Sequence, residues 1–167
     1  MLKAVCGTGR IRPVKVAIVP VTPFQQNCSI LVDEETGRAA VVDPGGDLDQ
    51  IEAALKQTGA TLEKIFLTHG HVDHCSGAAE LRRRTGVPIE GPQREDAFWI
   101  EQLPESTARY GLPAAEAFEP DRWLEDGDMV RFGGVTLGVR HCPRHTPGHV
   151  GFLHPESRHV NQFLITP

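Results

Sequence analysis

Three histidines and an aspartate lie within six residues of this chain, in the stretch His69-Gly70-His71-Val72-Asp73-His74. The run before them, residues 64–67, is mainly apolar and predicts a buried strand that opens into a loop. In an extended segment, His69 and His71 project from the same face, because residues i and i+2 share a side. Two such imidazoles make half of a metal site, since zinc prefers nitrogen donors in a tetrahedral arrangement. We favour this interpretation over a polar loop whose histidines cap the neighbouring elements.

A second group of histidines, His141, His145 and His149, follows a later apolar segment in a loop rich in proline and glycine. A catalytic zinc takes three protein ligands and leaves one position for water. One of these three histidines would therefore join His69 and His71. The residues themselves leave the choice open, with His145, midway along the loop, as the most exposed candidate. At least one of the other two is expected to be a structural histidine that bonds a backbone carbonyl.

The elements that must position these histidines alternate between strands and helices. Strands are predicted at residues 14–21, 28–32, 39–42, 64–67, 87–89, 129–132 and 135–140. Helices are predicted from Asp47, with Gln50 completing a capping box, to Gly59, and over residues 76–84. A hairpin-rich beginning followed by alternating strands and helices indicates an α/β layered fold.

Residues 92–127 interrupt this pattern with proline, glutamate and short helical pieces, one of them over residues 96–103. The segment is predicted to be a surface excursion from the sheet. Its large aromatic residues are expected to pack the excursion onto the core rather than to contact a substrate. These residues are Phe98, Trp99, Tyr110 and Trp123.

Composition excludes several classes of protein. The 167 residues suit one domain, and a net charge of −5 without a large basic cluster argues against a nucleic-acid partner. No apolar run approaches the ~18 residues of a membrane span. Residues 1–13 are predicted to be a loose leader without the apolar core of a signal peptide. The four cysteines form no C-x-x-C pair, which favours a reduced, cytoplasmic setting.

Several motifs together resemble the metallo-β-lactamase superfamily, and within it the single-domain, glyoxalase II-like (hydroxyacylglutathione hydrolase-like) hydrolases. The resemblance covers about residues 14–157 and implies an α/β fold, the αββα sandwich, with the metals at the sheet edges. The segments that carry it are residues 22–28, 42–47, 66–74, 121–128, 141–143 and 145–149.

The resemblance also implies roles for individual residues. His69, His71 and His145 would hold a first zinc ion, and Asp73 and His74 a second. Asp43 would lie beneath the ligands and orient them, and we assign His149 to the same supporting layer. A metal-activated hydroxide, oriented by Asp73 as the catalytic residue, would attack a thioester such as an S-2-hydroxyacylglutathione.

The pattern departs from the family after residue 157. The family continues with a Gly-Asp whose carboxylate bridges both metals and a late Gly-His, and neither follows His149 here. We therefore expect an incomplete domain over residues 14–157 with a divergent tail, 158–167, and an unpaired sheet edge that favours self-association. The second metal site would be weak or empty, with His154 and His159 as minor candidates to stand in, and hydrolysis would be greatly reduced or lost.

Two other functions fit the same residues. The first is an iron-dependent persulfide dioxygenase, which would draw its ligands from the same histidines. The second is a truncated, non-catalytic remnant that binds metal without turnover. The acyl group and the thiol of a thioester substrate cannot be read from the sequence, nor can the choice between zinc and iron.

Overall fold

Two β-sheets pack face to face, and helices cover the outer face of the first sheet. The structure is a computed structural model that describes residues 13–143, 145–154 and 163–165. Within these residues the α/β sandwich expected from the resemblance is present as three layers, one of helices and two of strands.

The first sheet has the strand order β1-β2-β3-β4-β5. Its strands are β1 Val14–Val21, β2 Gln26–Asp33, β3 Arg38–Val42, β4 Thr61–Phe66 and β5 Ile89–Glu90. The pairs β1–β2 and β2–β3 are antiparallel, whereas β3–β4 and β4–β5 are parallel. The parallel pairs need crossover connections, which the helices supply.

The second sheet is antiparallel throughout, with the order β6-β7-β8-β9. Its strands are β6 Met129–Phe132, β7 Val135–His141, β8 Val150–Leu153 and β9 Phe163–Ile165. The helices are α1 Leu48–Thr58, α2 Val72–Cys75, α3 Ala78–Thr85, α4 Ala97–Glu101 and α5 Leu103–Arg109, with a 3-10 turn at Arg94–Asp96.

Side-chain alternation along the strands of the first sheet builds both halves of the core. On β3, Ala39 and Val41 face the helices, and Ala40 and Val42 face the second sheet. Both faces are apolar because both are covered, as expected for parallel strands buried on two sides.

Phe66, the last residue of β4, fills the space between the sheets. Its ring stacks on Phe152 at a centroid distance of 5.3 Å and meets Phe132 edge-on at 6.4 Å. All three rings are fully buried. The position matters for chemistry, because the histidine loop begins two residues later.

The predicted strands of the first half match the observed ones closely, but two helix predictions need correction. Asp47 occupies the N-cap position of α1, but its side chain makes no capping bond: the carboxylate accepts a hydrogen bond from the Thr22 backbone N–H at 2.8 Å instead. The helix predicted over residues 76–84 is observed as α3, Ala78–Thr85, and an unpredicted short helix, α2, precedes it at Val72–Cys75. Helical structure therefore begins at Val72, and Asp73 and His74 lie on α2 rather than before a helix.

The tail contributes a strand, since β9 pairs with β8. The outer edge of the second sheet is therefore formed by β9, and self-association through it stays a prediction. The leader at residues 1–12 and His159 lie outside the described residues.

Two observations bear on the predicted setting of the protein. Cys28, Cys75 and Cys142 are free thiols. In the part of the chain that is described, no helix is both long and apolar enough to cross a bilayer. The cytoplasmic location itself stays a prediction.

Replacing Phe66 with alanine should lower the free energy of unfolding by about 3–5 kcal/mol, because a cavity would open between two sheets that cannot close over it. Urea denaturation measures this difference. Phe98→Ala is the matched control, since the Phe98 side chain is 41% exposed and its loss should cost much less. Equal costs for the two variants would contradict this description of the core.

Candidate metal centre

The first histidine loop begins where two parallel strands end side by side. Asp43 follows β3 and Thr68 follows β4, so both reach the same edge of the sheet. The Asp43 backbone N–H donates to the Phe66 carbonyl at 3.0 Å. Asp43 has a φ of 54°, in the left-handed region that aspartate tolerates better than most residues.

A chain of hydrogen bonds orients His69. The buried Asp43 carboxylate accepts from the Thr68 backbone N–H at 2.8 Å and from the Thr68 hydroxyl at 2.5 Å. The hydroxyl has one proton and gives it to the carboxylate, so it must accept from His69 Nδ1, 2.9 Å away. This fixes the tautomer of His69 and leaves the lone pair on Nε2. That atom is buried and has no hydrogen-bond partner.

His71 and His145 complete a cluster around this atom. His71 Nδ1 lies 3.1 Å from His145 Nε2. One ligand atom from each of His69, His71 and His145 lies within 4.8 Å of the other two. Zinc–nitrogen bonds of about 2.0–2.1 Å in a tetrahedron separate the nitrogens by about 3.3 Å. The three imidazoles thus fit a divalent cation with small adjustments, and an ion would satisfy the orphaned His69 Nε2.

His74 and Asp73 lie beside this cluster on α2. His74 Nδ1 donates to the Asp43 carboxylate at 2.9 Å, and its Nε2 is 3.6 Å from the Asp73 carboxylate. A second group of potential ligands, Asp43, His69 and His74, also lies within 4.8 Å. Because Asp43 already accepts three hydrogen bonds, its geometry is that of a group that orients ligands. Among the described residues, the compact ligand groups do not include Asp73.

The other two histidines of the second loop are outside the three-histidine ligand group. His141 Nε2 donates to the Pro147 carbonyl at 2.7 Å, and its backbone N–H donates to Asp126. His141 is thus the carbonyl-bonded histidine that the sequence left unassigned. His149 is buried, and its ring stacks on His69 at a centroid distance of 4.4 Å and an angle of 19°. Both of its ring nitrogens are buried without a hydrogen-bond partner.

Burial sets the protonation of most of the cluster. Desolvation lowers the pKa of His69 and of His71, and it lowers the pKa of His149 to about 4. Burial also acts to lower the pKa of His74, but the hydrogen bond and negative charge of Asp43 outweigh it and raise that pKa. His69 and His71 are consequently neutral at pH 7, the form that binds metal.

Sequence analysis did not identify Asp96, the buried carboxylate that joins the two histidine loops. Its Oδ2 accepts from the Gly70 backbone N–H at 2.8 Å and from the Thr146 hydroxyl at 2.7 Å, and its Oδ1 accepts from the Gly148 backbone N–H at 2.7 Å. Asp96 is fully buried at the end of the 3-10 turn. It connects residues next to His69 and His71 with residues next to His145 and His149.

Gly148 permits this close approach. A Cβ atom built there would lie 2.5 Å from the Gln93 carbonyl oxygen and 2.6 Å from the Asp96 backbone nitrogen. Any side chain would push the second loop away from Asp96. No sequence motif marks Asp96 or predicts its contact with the loop that contains Gly148.

The excursion also forms one side of the site. The Trp99 ring meets the His71 ring edge-on at a centroid distance of 4.9 Å. Trp99 and Tyr110 line a cavity next to His71, and their predicted packing onto the core stays a prediction. Trp123 does pack against the core.

Comparison with known proteins places these residues in context. The family model described as Metallo-beta-lactamase superfamily matches residues 21–160. The chain is 42% identical over 144 residues to "Hydroxyacylglutathione hydrolase GloC" of Haemophilus influenzae, an alignment that covers 86% of this chain and 68% of that protein. It is 35% identical over 135 residues to "Hydroxyacylglutathione hydrolase" of Brucella anthropi, covering 80% of this chain and 45% of that longer protein.

Solved structures agree with the sequence comparison. The crystal structure of BLEG-1 B3 metallo-beta-lactamase matches with a TM-score of 0.73 and 28% identity, over 84% of this chain and 67% of that one. The crystal structure of TTHA1623 in a di-iron-bound form also matches with a TM-score of 0.73, at 32% identity, over 84% of this chain and 68% of that one. The two-sheet sandwich is therefore the fold of these proteins.

Replacing Asp96 with asparagine should weaken zinc binding by about 10–100-fold, the usual cost of removing a group that orients metal ligands. The asparagine side chain has a donor NH₂ group in place of one carboxylate oxygen. At least one of the three hydrogen bonds that Asp96 now accepts would therefore be lost. Competition with a chromophoric chelator measures the affinity. Asp121→Asn is the control, since Asp121 accepts from the Ile89 backbone N–H and from Arg82 away from the histidines. An unchanged zinc affinity in the Asp96 variant would refute the role.

In the metal-free protein, stability should fall between pH 7 and pH 5. Unfolded histidine binds a proton below about pH 6.5, whereas folded His149, with its pKa lowered to about 4, does not. The unfolded state is therefore favoured as the pH falls, by about 2 kcal/mol at pH 5 from His149 alone. His69 and His71 act in the same direction, and His74, whose pKa is raised, opposes them.

Urea denaturation in EDTA at the two pH values measures this loss of stability. His149→Gln removes the titrating ring and should make the decline shallower. A stability that rises on acidification would show that the buried imidazoles are not held neutral.

Proposed function

Because this chain belongs to the metallo-β-lactamase superfamily, we propose that it is a metal-dependent hydrolase of the glyoxalase II type, acting on a thioester such as an S-2-hydroxyacylglutathione. The observation that carries the proposal is the convergence of His69, His71 and His145, with the His69 lone pair fixed by Asp43 and Thr68. Relatives named as hydroxyacylglutathione hydrolases support the substrate class.

Three imidazoles would hold the catalytic ion, and the remaining position would be open. A divalent cation held there would polarise a substrate carbonyl and lower the pKa of a bound water toward ~7. Asp73, which lines the adjoining cavity, would orient the attacking water and accept its proton on a carboxylate oxygen. Trp99 would limit the access of bulk water from the side of His71.

Zinc is the ion we propose for the first site, since three neutral nitrogen donors suit it. Iron is the alternative, because a solved relative at 32% identity is described as di-iron-bound. Asp73 and His74 are proposed ligands of a second, more weakly held ion. Their nearest ligand atoms are 3.6 Å apart, close enough to share one cation. The hydrogen bond from Nδ1 to Asp43 would leave Nε2 as the ligand atom of His74.

Replacing His69 with alanine should remove one equivalent of tightly bound metal and lower hydrolysis of S-lactoylglutathione by at least about 100-fold, because a mononuclear site with two protein ligands holds zinc poorly. Metal content after dialysis and thioester hydrolysis followed by absorbance are the two measurements. His141→Gln is the matched control, since His141 belongs to the same cluster in sequence but bonds the Pro147 carbonyl. It should retain metal.

The same experiment separates the competing functions. Metal bound by the wild-type chain with equal, background hydrolysis in both proteins would support a non-catalytic metal-binding protein. Iron as the bound metal, with oxygen consumed in the presence of a persulfide, would support a dioxygenase. Metal retained by the His69 variant would contradict the proposed site itself.

A further inference from the structure

The outer strands of the two sheets differ in how well they are protected. At one end of the first sheet, β5 is covered by the chain itself: the Asp121 backbone N–H donates to the Ile89 carbonyl at 2.8 Å. The Gly91 backbone N–H also donates to the Arg122 carbonyl at 2.8 Å. The outer strands of the second sheet, β6 and β9, have only four and three residues. Covered edges and short edge strands both limit pairing with another chain.

β1, the outer strand at the other end of the first sheet, is neither covered nor short. It has eight residues and pairs with β2 in an unbroken register from Val14 to Val21. Within the described residues, no second strand pairs with it. Its one charged side chain, Lys15, lies near the start of the strand, 3.6 Å from Glu34. The middle of β1 is therefore open to backbone pairing.

Two large apolar side chains of β1 are exposed. Val16 is 39% and Ile18 52% exposed, and as residues i and i+2 they share one face of the strand. Leu31, opposite Val16 on β2, is fully buried in the core between the two sheets. The second sheet thus covers β2 on this face but leaves Val16 and Ile18 uncovered.

The sequence of β1 is complementary to itself in an antiparallel pair. About a two-fold axis at Ala17, Val16 of one copy lies opposite Ile18 of the other, and the same contact forms a second time. Side chains directly opposite each other in an antiparallel pair share a face, so all four would form one apolar cluster. Lys15 would lie opposite Val19, so no like charges meet across the axis.

The outer face of the second sheet is another open surface, but its charges oppose pairing with itself. Arg131 on β6 and Arg140 on β7 are exposed and alternate with buried residues, so both lie on this face. Among the described residues, neither arginine makes an ion pair, and β6, β7 and β8 contain no acidic residue. Two copies joined through this face would bring four unneutralised cations together. The comparison favours β1 as the surface for self-association.

We propose that β1 is an interaction surface for a second copy of this chain, whose own β1 pairs with it in antiparallel orientation about Ala17. Each copy would contribute its five-stranded sheet to one continuous sheet across the two-fold axis. Backbone hydrogen bonds along the strand would supply affinity, and the cluster of Val16 and Ile18 side chains would fix the register. The proposal is independent of the hydrolase function, since it uses no residue of the metal centre.

Sedimentation velocity of the full chain over a series of concentrations measures this association. We expect a monomer–dimer equilibrium that Ile18→Lys weakens by at least about 100-fold, because the buried apolar contact is lost twice in a two-fold dimer. Met129→Lys is the matched control, since Met129 is 50% exposed on β6, and it should dimerise as the wild type does. Circular dichroism verifies that both variants are folded.

Two complementary variants test the register. Val16→Lys and Ile18→Glu should each prevent dimerisation alone, whereas an equimolar mixture should form a heterodimer in which the introduced opposite charges face each other. Added salt should weaken this heterodimer. A wild type that is monomeric at every concentration would overturn the proposal. So would an Ile18→Lys chain that dimerises normally, an equal loss in Met129→Lys, or a mixture that stays monomeric.

Discussion

A single buried carboxylate holds the histidine loops of this protein together. The first loop follows β4 of one sheet, and the second follows β7 of the other, so the packing of the sheets alone fixes only their approximate separation. Asp96 accepts donors from both loops and has all three of its bonds buried. Buried donors left without an acceptor cost about 1–3 kcal/mol each. The two loops are thus stable together in one arrangement, and that arrangement places His145 against His71.

Asp43 does for the orientation of the rings what Asp96 does for the position of the loops. It accepts from Thr68 and from His74, and through the Thr68 hydroxyl it decides which nitrogen of His69 carries the proton. Carboxylates that fix the tautomer of metal-binding histidines recur in metal sites, because a ligand must present a lone pair rather than a proton. Here the same carboxylate serves two neighbouring rings, those of His69 and His74.

These arrangements explain why burying the histidine rings costs free energy when no ion is bound. His69 Nε2 and both ring nitrogens of His149 are buried with no partner, and the desolvation that lowers their pKa values is a cost that folding must meet elsewhere. The packing of Phe66 against Phe132 and Phe152 between the sheets supplies stabilising free energy close to the site, which offsets this cost. A cation bound by the neutral rings would recover part of the cost, which couples metal affinity to folding.

The excursion after β5 gives the histidine cluster a connecting carboxylate and one wall of a neighbouring cavity. It supplies Asp96 to the loops, Trp99 to the edge of His71, and one side of α5 to the cavity wall. Three different contributions thus come from one segment that composition alone described as a surface insertion.

The local pattern of strands and histidines could be predicted from the sequence. Apolar alternation located the strands of the first sheet, and the spacing of His69 and His71 placed both rings on one side of an extended loop. Which histidine of the second loop joins His69 and His71 depends on contacts between distant segments. His141 bonds a carbonyl, and His149 stacks on the face of His69. The tertiary structure alone revealed Asp96 and the cavity beside Arg109. The physical reason is distance along the chain: periodicity reports which residues share a face of one element, whereas the contacts of Asp96, His145 and His149 with the first loop join residues 26 to 80 positions apart.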